Sequence, residues 1–323
     1  MIDQYNRKIE YLRLSVTDRC NLRCQYCMPE SGAAKLKHED ILTFEEILRT
    51  VKVLVGLGIR KVRLTGGEPL LRRGIVDLIR NIKAVDGIEQ VMLTTNGVLL
   101  NKMMDDLICA GLDGINLSLD TLNANTFEKI TRRDLFNDVQ YTLSKVLNSK
   151  LVVKINCVPI AGINDDEVIK IVELARYNDI KVRFIELMPI GCAVNFKGIP
   201  TDKIKSIIEK TYGHLIPHSE LRIPHYQGPA KYFNLPEFVG QVGFIDAIDH
   251  KFCSSCNRIR LTSDGFLKLC LNSNAGLNIK SLLRAGIDDL DLMDNIRQAI
   301  YNKPKEHNFN KITDKTQMYQ VGG

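Results

Sequence analysis

Three cysteines stand within eight residues near the start of the chain: Cys20, Cys24 and Cys27 in CNLRCQYC, spaced C-x3-C-x2-C. A second group, Cys253, Cys256 and Cys270, has gaps of two and thirteen residues. Thiolates bind zinc and iron–sulfur clusters alike, so spacing has to be weighed with ligand number. A structural zinc site is closed by four protein ligands, and a disulfide framework needs an even count. The first group has no fourth ligand beside it; the histidine nearest to it is His38, across a loop. A [4Fe–4S] cube held by three cysteines leaves one iron free to coordinate an outside molecule, which gives a three-thiolate site a purpose. Two clusters use all six residues without remainder. The plainer alternatives are a zinc knuckle in either group or a ribbon drawing ligands from both. Cys109, read as lying on the apolar face of a helix, and Cys157 are expected in the core. Cys192 has no evident role.

The elements that must hold these residues alternate in type over the first two-thirds of the chain. Tyr11–Val16, Lys61–Thr65, Gln90–Thr95, Gly114–Asp120, Leu151–Ile160 and Ile180–Met188 read as strands. Helices are expected between them, the first opened by a capping box at Thr43 and Glu46 and the last spanning Asp165–Tyr177. Six such units, roughly 30 residues apart, predict an α/β fold with a parallel sheet, a partial (βα)6 TIM-type barrel. Polar residues and glycines gather at the strands' carboxyl ends, where barrel enzymes keep their active sites. The pattern breaks after Gly191, so residues 1–190 are expected to form the barrel. Residues 191–323 would form a C-terminal α+β extension carrying the second cysteine group.

Composition narrows the class. Across 323 residues the chain has no Trp, 44 basic and 38 acidic residues, and nine cysteines. An odd and high cysteine count suits metal ligation in a reducing compartment better than disulfides. No apolar run approaches the roughly 20 residues that span a bilayer, and the opening MIDQYNRKIE does not resemble a signal peptide. A soluble, cytoplasmic protein with no membrane partner is expected. A basic stripe with interleaved aromatics, the mark of a nucleic-acid surface, is not evident.

The first cysteine motif, with Tyr26 just before Cys27 and GGEP at Gly66–Pro69 after the next strand, resembles the radical S-adenosylmethionine superfamily. That superfamily folds as a full or partial βα barrel. LRLSVTDRCNLRCQYCMP, VRLTGGEPLLRR, LTTNG, INLSLD, RFIELM, CSSCNRIRLTSDG…C and the terminal Gly322-Gly323 are further similar, in this order, to the GTP 3′,8-cyclase family of molybdenum cofactor (molybdopterin) biosynthesis. The resemblance implies that the iron left open by Cys20, Cys24 and Cys27 chelates S-adenosylmethionine. Reductive cleavage would then give a 5′-deoxyadenosyl radical that takes hydrogen from C3′ of GTP. Closure onto C8 would give (8S)-3′,8-cyclo-7,8-dihydroguanosine 5′-triphosphate. By the same resemblance Tyr26, Gly67, Ser118 and Met188 contact S-adenosylmethionine. Arg13, Arg63, Thr94, Lys154, Arg258 and Arg260 would contact GTP, while a second [4Fe–4S] cluster on Cys253, Cys256 and Cys270 meets the guanine. In the family the Gly-Gly tail reaches the active site. The implied partners are a reducing electron donor and a downstream cyclic pyranopterin monophosphate synthase, and a homodimer stays open.

The residue types suit those roles. Arginine forks pair with phosphate oxygens, and Arg63 and Lys154 sit in otherwise apolar strands where an unpaired charge is costly to bury. Arg258 and Arg260 alternate, so both face one side. Arg72 and Arg73 read as solvated, and Glu68 as ordering its loop. There is no G-x4-G-K-[ST] phosphate loop. A radical S-adenosylmethionine enzyme that modifies peptides or proteins, with an auxiliary cluster, is the alternative reading. A non-catalytic metal-bound nucleic-acid module is the contrasting class.

Overall fold

A computed structural model describes residues 1–33, 36–218, 228–248, 250–307, 309 and 317–322. Its strands are β1 (Tyr11–Ser15), β2 (Lys61–Thr65), β3 (Gln90–Thr95), β4 (Gly114–Ser118), β5 (Val152–Cys157), β6 (Lys181–Ile185), β7 (Ile216–Pro217), β8 (Lys231–Asn234), β9 (Gln241–Ile245), β10 (Arg258–Leu261), β11 (Phe266–Lys268) and β12 (Gly276–Asn278). The helices are α1 (Phe44–Gly56), α2 (Ile75–Lys83), α3 (Leu100–Cys109), α4 (Ala124–Thr131), α5 (Phe136–Leu147), α6 (Val168–Glu173), α7 (Thr201–Tyr212), α8 (Ile279–Arg284) and α9 (Asp289–Tyr301).

All twelve strands join one sheet in the order β12-β11-β10-β1-β2-β3-β4-β5-β6-β9-β8-β7. β10, β1 to β6 and β9 run parallel, and antiparallel pairs finish both edges. The expected six-unit parallel core is present. Strands from beyond residue 190 lengthen it on both sides, β9 beside β6 and β10 beside β1.

The period-2 pleat sorts each strand's residues into two faces. On β1 and β2, Leu12, Leu14, Val62 and Leu64 are fully buried in the core. The stripes of α1, α2, α3 and α5, among them Leu54, Ile79, Leu107 and Val146, belong to the same core. The alternate residues Tyr11, Arg13, Lys61 and Arg63 face the interior of the curved sheet. The α1 capping box forms as expected, with Glu46 N donating to Thr43 Oγ1 at 3.2 Å and Thr43 N to Glu46 Oε2 at 2.8 Å. The helix expected over 165–177 is shorter: a 3-10 turn (Asp165–Glu167) runs into α6, and i→i+3 bonds from Leu174, Ala175 and Arg176 then close it.

Candidate active site

Every residue predicted to hold a cluster, S-adenosylmethionine or GTP lines one cavity on the concave face of the sheet. It measures about 390 Å³, within the range of small-molecule sites. Strand direction sets its two ends. Cys20 to Cys27 follow the carboxyl end of β1, whereas Cys253 and Cys256 precede β10, which lies parallel to β1 with Tyr11 opposite Arg258. β11 runs antiparallel to β10 with Lys268 opposite Arg260, so Cys270 returns to the same amino-terminal end. The two cysteine groups therefore cap opposite ends of one cavity.

Backbone contact builds the first end. Gly67 N donates to Thr17 O at 2.8 Å and Glu68 N to Arg19 O at 2.7 Å, docking the GGEP turn against the cysteine loop. A Cβ at Gly67 would lie 2.3 Å from Arg19 O, so only glycine fits. Glu68 orders the turn as expected, its carboxylate accepting from Leu70 N, Thr95 Oγ1 and Asn96 N. Asp120 lies two residues past β4; its Oδ2 accepts the Tyr26 hydroxyl at 2.7 Å and its Oδ1 the Val158 amide at 2.9 Å.

Burial, reinforced by neighbouring acidic groups, pushes Cys20 up to about 11 and Cys27 up to about 12, and raises Cys24 well above its ordinary value. Such thiols ionise only when a bound cation compensates, which is what three thiolates on an iron cluster require. Among the described residues no three His, Cys, Asp or Glu side chains converge on a single metal ion. The thiolates of a cube bind different irons and need no such convergence. The donor set fits a cluster.

At the second end one thiol, that of Cys256, shifts the other way. Burial would push Cys256 up, but Arg258 and Lys303 outweigh it and the thiol falls to about 7. Arg258 Nη2 lies 4.0 Å from Cys256 Sγ. Burial raises Cys253, against the backbone amide of His307, which lowers it.

Between the ends lies a cationic floor. Arg260, Arg13 and Arg63 stand side by side on β10, β1 and β2, an arrangement of like charges that is unfavourable without an anion. Lys154 is pushed down to about 6, first by burial and then by Arg183 and Arg63. Burial and Arg258 bring Arg260 down to about 10. Arg63 Nε, Arg183 Nε and Thr94 Oγ1 are buried without hydrogen-bond partners among the described residues. The sequence reading missed Lys61, Lys181 and Arg183, which share the floor. Their signal was present: Lys61 and Arg63, like Lys181 and Arg183, are two apart on one strand, so they share a face.

The tail enters this site. Arg260 Nη1 donates to Val321 O at 3.1 Å and Gly322 O at 3.0 Å, and Gly322 takes φ 71° against Thr65. Gly323 lies outside the described residues, as do residues 34 and 35 of the loop after the first cysteines. Cys192 Sγ lies 3.5 Å from Gln317 Oε1, next to the tail. Two expectations are corrected. Cys109 is exposed, because Leu100, Met104 and Leu107 form the buried stripe of α3 and Cys109 falls opposite it. Arg72 is not simply solvated: it donates to Val16 O at 2.7 Å and to Leu42 O, and lies over the Phe44 ring. Cys157 is buried in the core, as expected.

Comparison with known proteins gives the class first. Residues 14–175 match the model of the radical SAM superfamily, and residues 180–309 match that described as Molybdenum Cofactor Synthesis C. The fold is also that of Streptococcus suis SuiB bound to S-adenosylmethionine: TM-score 0.63 at 15% identity, over 98% of this chain and 76% of that one. The hydrogenase maturase HydG of Carboxydothermus hydrogenoformans gives TM-score 0.51 at 16% identity, over 64% of this chain and 52% of its own. Nearer relatives are named GTP 3′,8-cyclase. That of Clostridium perfringens (strain SM101 / Type A) is 46% identical over 326 residues, and that of Desulforamulus reducens 45% over 330, each covering 100% of both chains. This chain belongs to the GTP 3′,8-cyclase family of the radical SAM superfamily.

Proposed function

We propose that this protein cyclises GTP between C3′ and C8, using S-adenosylmethionine and a [4Fe–4S] cluster held by Cys20, Cys24 and Cys27. The observation that carries the reading is one cavity with a three-thiol group at each end and a cationic floor between. When bound, the cluster and S-adenosylmethionine supply the hydrogen abstraction. The chain's own residues bind, orient and exclude water. Tyr26, Gly67, Ser118 and Met188 hold S-adenosylmethionine against the first group, with Gly67 giving backbone access. Arg13, Arg63, Lys154, Arg258 and Arg260 neutralise the triphosphate, and Thr94 donates or accepts a hydrogen bond. Lys61, Lys181 and Arg183 add charge to the same floor.

In this reading Cys253, Cys256 and Cys270 hold a second [4Fe–4S] cluster that meets the guanine. The division of labour follows the chain, with residues 1–190 generating the radical and residues 191–323 presenting the base. A reducing electron donor serves the first cluster, and a cyclic pyranopterin monophosphate synthase consumes the product. A homodimer is compatible with these roles. No helix among the described residues is long and apolar enough to cross a membrane; a cytoplasmic setting is part of the reading.

Anaerobic incubation of reduced, reconstituted protein with S-adenosylmethionine and each nucleoside triphosphate tests the reading. 5′-Deoxyadenosine and a cyclised nucleotide are expected with GTP alone. Equal cleavage with ATP, or protein that takes up zinc and no iron, would overturn it.

A further inference from the structure

Lys303 is a lysine in the wrong kind of place for a solvated charge. It follows α9, it is 2% exposed, and it lines the cavity at the second cysteine group. Its Nζ donates to the carbonyl of Leu269, the residue before Cys270. Among the described residues no carboxylate pairs with it. Burial, the first cause, lowers its pKa and Arg7 and Arg258 add to that, while Cys256 and Cys270 act in the other direction and favour the ammonium. A buried ammonium without a carboxylate is costly unless another anion balances it. With a cluster bound, the nearby anions would be the thiolates that hold it.

The backbone of the same segment is fixed from behind. Arg7 is buried and paired with Asp3, its Nε 2.6 Å from Oδ2. Its guanidinium spends its other donors on carbonyls, Nη1 on Cys253 O at 3.0 Å and Lys305 O at 2.9 Å, Nη2 on Lys303 O at 3.3 Å and Pro304 O at 2.7 Å. One side chain thus joins the loop that carries Cys253 to the segment that carries Lys303. The ammonium is held by the Leu269 carbonyl, and the backbone that carries it by Arg7.

We infer that Lys303 is the buried counter-ion of the Cys253–Cys256–Cys270 group, a positioning residue that sets the electrostatics of the cluster bound there. The inference rests on the second cluster proposed above. Reduction adds one negative charge to a cluster, and a fixed cation stabilises that charge, so Lys303 raises the reduction potential at this end of the cavity. At the first group the carboxylates outweigh the cation: Glu68 acts on Cys20 more strongly than Arg23 does, and Asp120 faces Cys24. The two ends are therefore biased apart, with the second the easier to reduce.

The test is an anaerobic redox titration of the full reconstituted chain followed by electron paramagnetic resonance. The second cluster's signal is identified as the one missing from Cys253→Ser. In Lys303→Met the midpoint of that signal moves to more negative potential, the first is unmoved, and Lys303→Arg restores the wild-type value. Should Met at 303 cost the second cluster altogether, leaving about four irons of about eight, retention in Lys303→Arg still supports the charge. Loss in both variants makes Lys303 a packing residue and overturns the inference, as do unmoved midpoints with full iron. If the wild type itself holds only about four irons and one signal, the reading of a second cluster fails, and that outcome is distinct from the others.

Discussion

The Tyr26 hydroxyl donates to Asp120 Oδ2 at 2.7 Å and so ties the cysteine loop to the end of β4, across 94 residues of sequence. Both groups are half-buried in the cavity wall; burial pushes Asp120 up to about 6 even though the Tyr26 bond lowers it. Asp120 is thus a positioning residue, fixing the aromatic ring that the family resemblance assigns to S-adenosylmethionine. Removing the acceptor leaves a half-buried hydroxyl without its partner, which costs on the order of 1 kcal/mol. Asp120→Ala is expected to weaken S-adenosylmethionine binding roughly tenfold, about 1.4 kcal/mol, while Asp120→Asn, which keeps an acceptor, loses much less. Equilibrium dialysis of the reconstituted variants measures both. Unchanged affinity in Asp120→Ala would remove Asp120 from the site's machinery.

Lys154 makes nucleotide binding depend on pH in a definite direction. Free, its pKa is pushed down to about 6, with burial the first cause and neighbouring cations the rest, so it is mostly neutral at pH 7.5. A bound triphosphate supplies the missing negative charge and raises that value. Between the free and bound pKa values binding takes up a proton, and affinity falls by up to about tenfold per pH unit as pH rises. Calorimetry in two buffers of different ionisation enthalpy should report about one proton taken up per GTP. Lys154→Met should abolish the buffer dependence. Heats that agree between buffers in the wild type would contradict the assignment.

Much of this was legible in the sequence because the informative signals were local. Cysteine spacing, the GGEP turn and six strand-like runs each depend on a few neighbours, and they predicted the triads and the parallel core. What escaped was set by distant pairing. That β9 and β10 join opposite edges of the sheet depends on contacts with β6 and β1, which no short-range pattern encodes. Lys303 reads as an ordinary residue after a helix until Arg7, nearly 300 positions earlier, is seen to hold it. Cys109 was misplaced for a simpler reason: the buried stripe of α3 follows Leu100, Met104 and Leu107, and Cys109 falls on the opposite side of the helix.

Gly67 has no room for a side chain. An added Cβ would meet Arg19 O at 2.3 Å, Arg19 C at 2.6 Å and Asp18 O at 2.7 Å. These are backbone atoms, so the GGEP turn and the loop leading to Cys20 must separate to admit it. Gly67→Ala is expected to cost about 1–3 kcal/mol and to lower iron retention at the first group as the loop shifts. Thermal unfolding and iron analysis on the purified variant test this. A variant with wild-type stability and full iron would show that the two loops yield more easily than their packing implies.

The separation of the cysteine groups to opposite ends of the cavity predicts that their losses are not equivalent. Cys24 stands half-buried among Cys20, Cys27 and Asp120 at the carboxyl end of β1, where the proposed function puts S-adenosylmethionine. Cys24→Ser should abolish 5′-deoxyadenosine formation with every substrate. Cys256 sits beside Arg258 at the other end, so Cys256→Ser should leave some cleavage of S-adenosylmethionine while cyclised product disappears. The ratio of 5′-deoxyadenosine to cyclised nucleotide, measured by chromatography after anaerobic single-turnover reactions, separates the two roles. That ratio should rise at least tenfold in Cys256→Ser, equivalent to about 1.4 kcal/mol or more of lost transition-state stabilisation in the second half of the reaction. If both variants lose cleavage and cyclisation in parallel, the two ends act as one unit, and the spatial division between them has no counterpart in the chemistry.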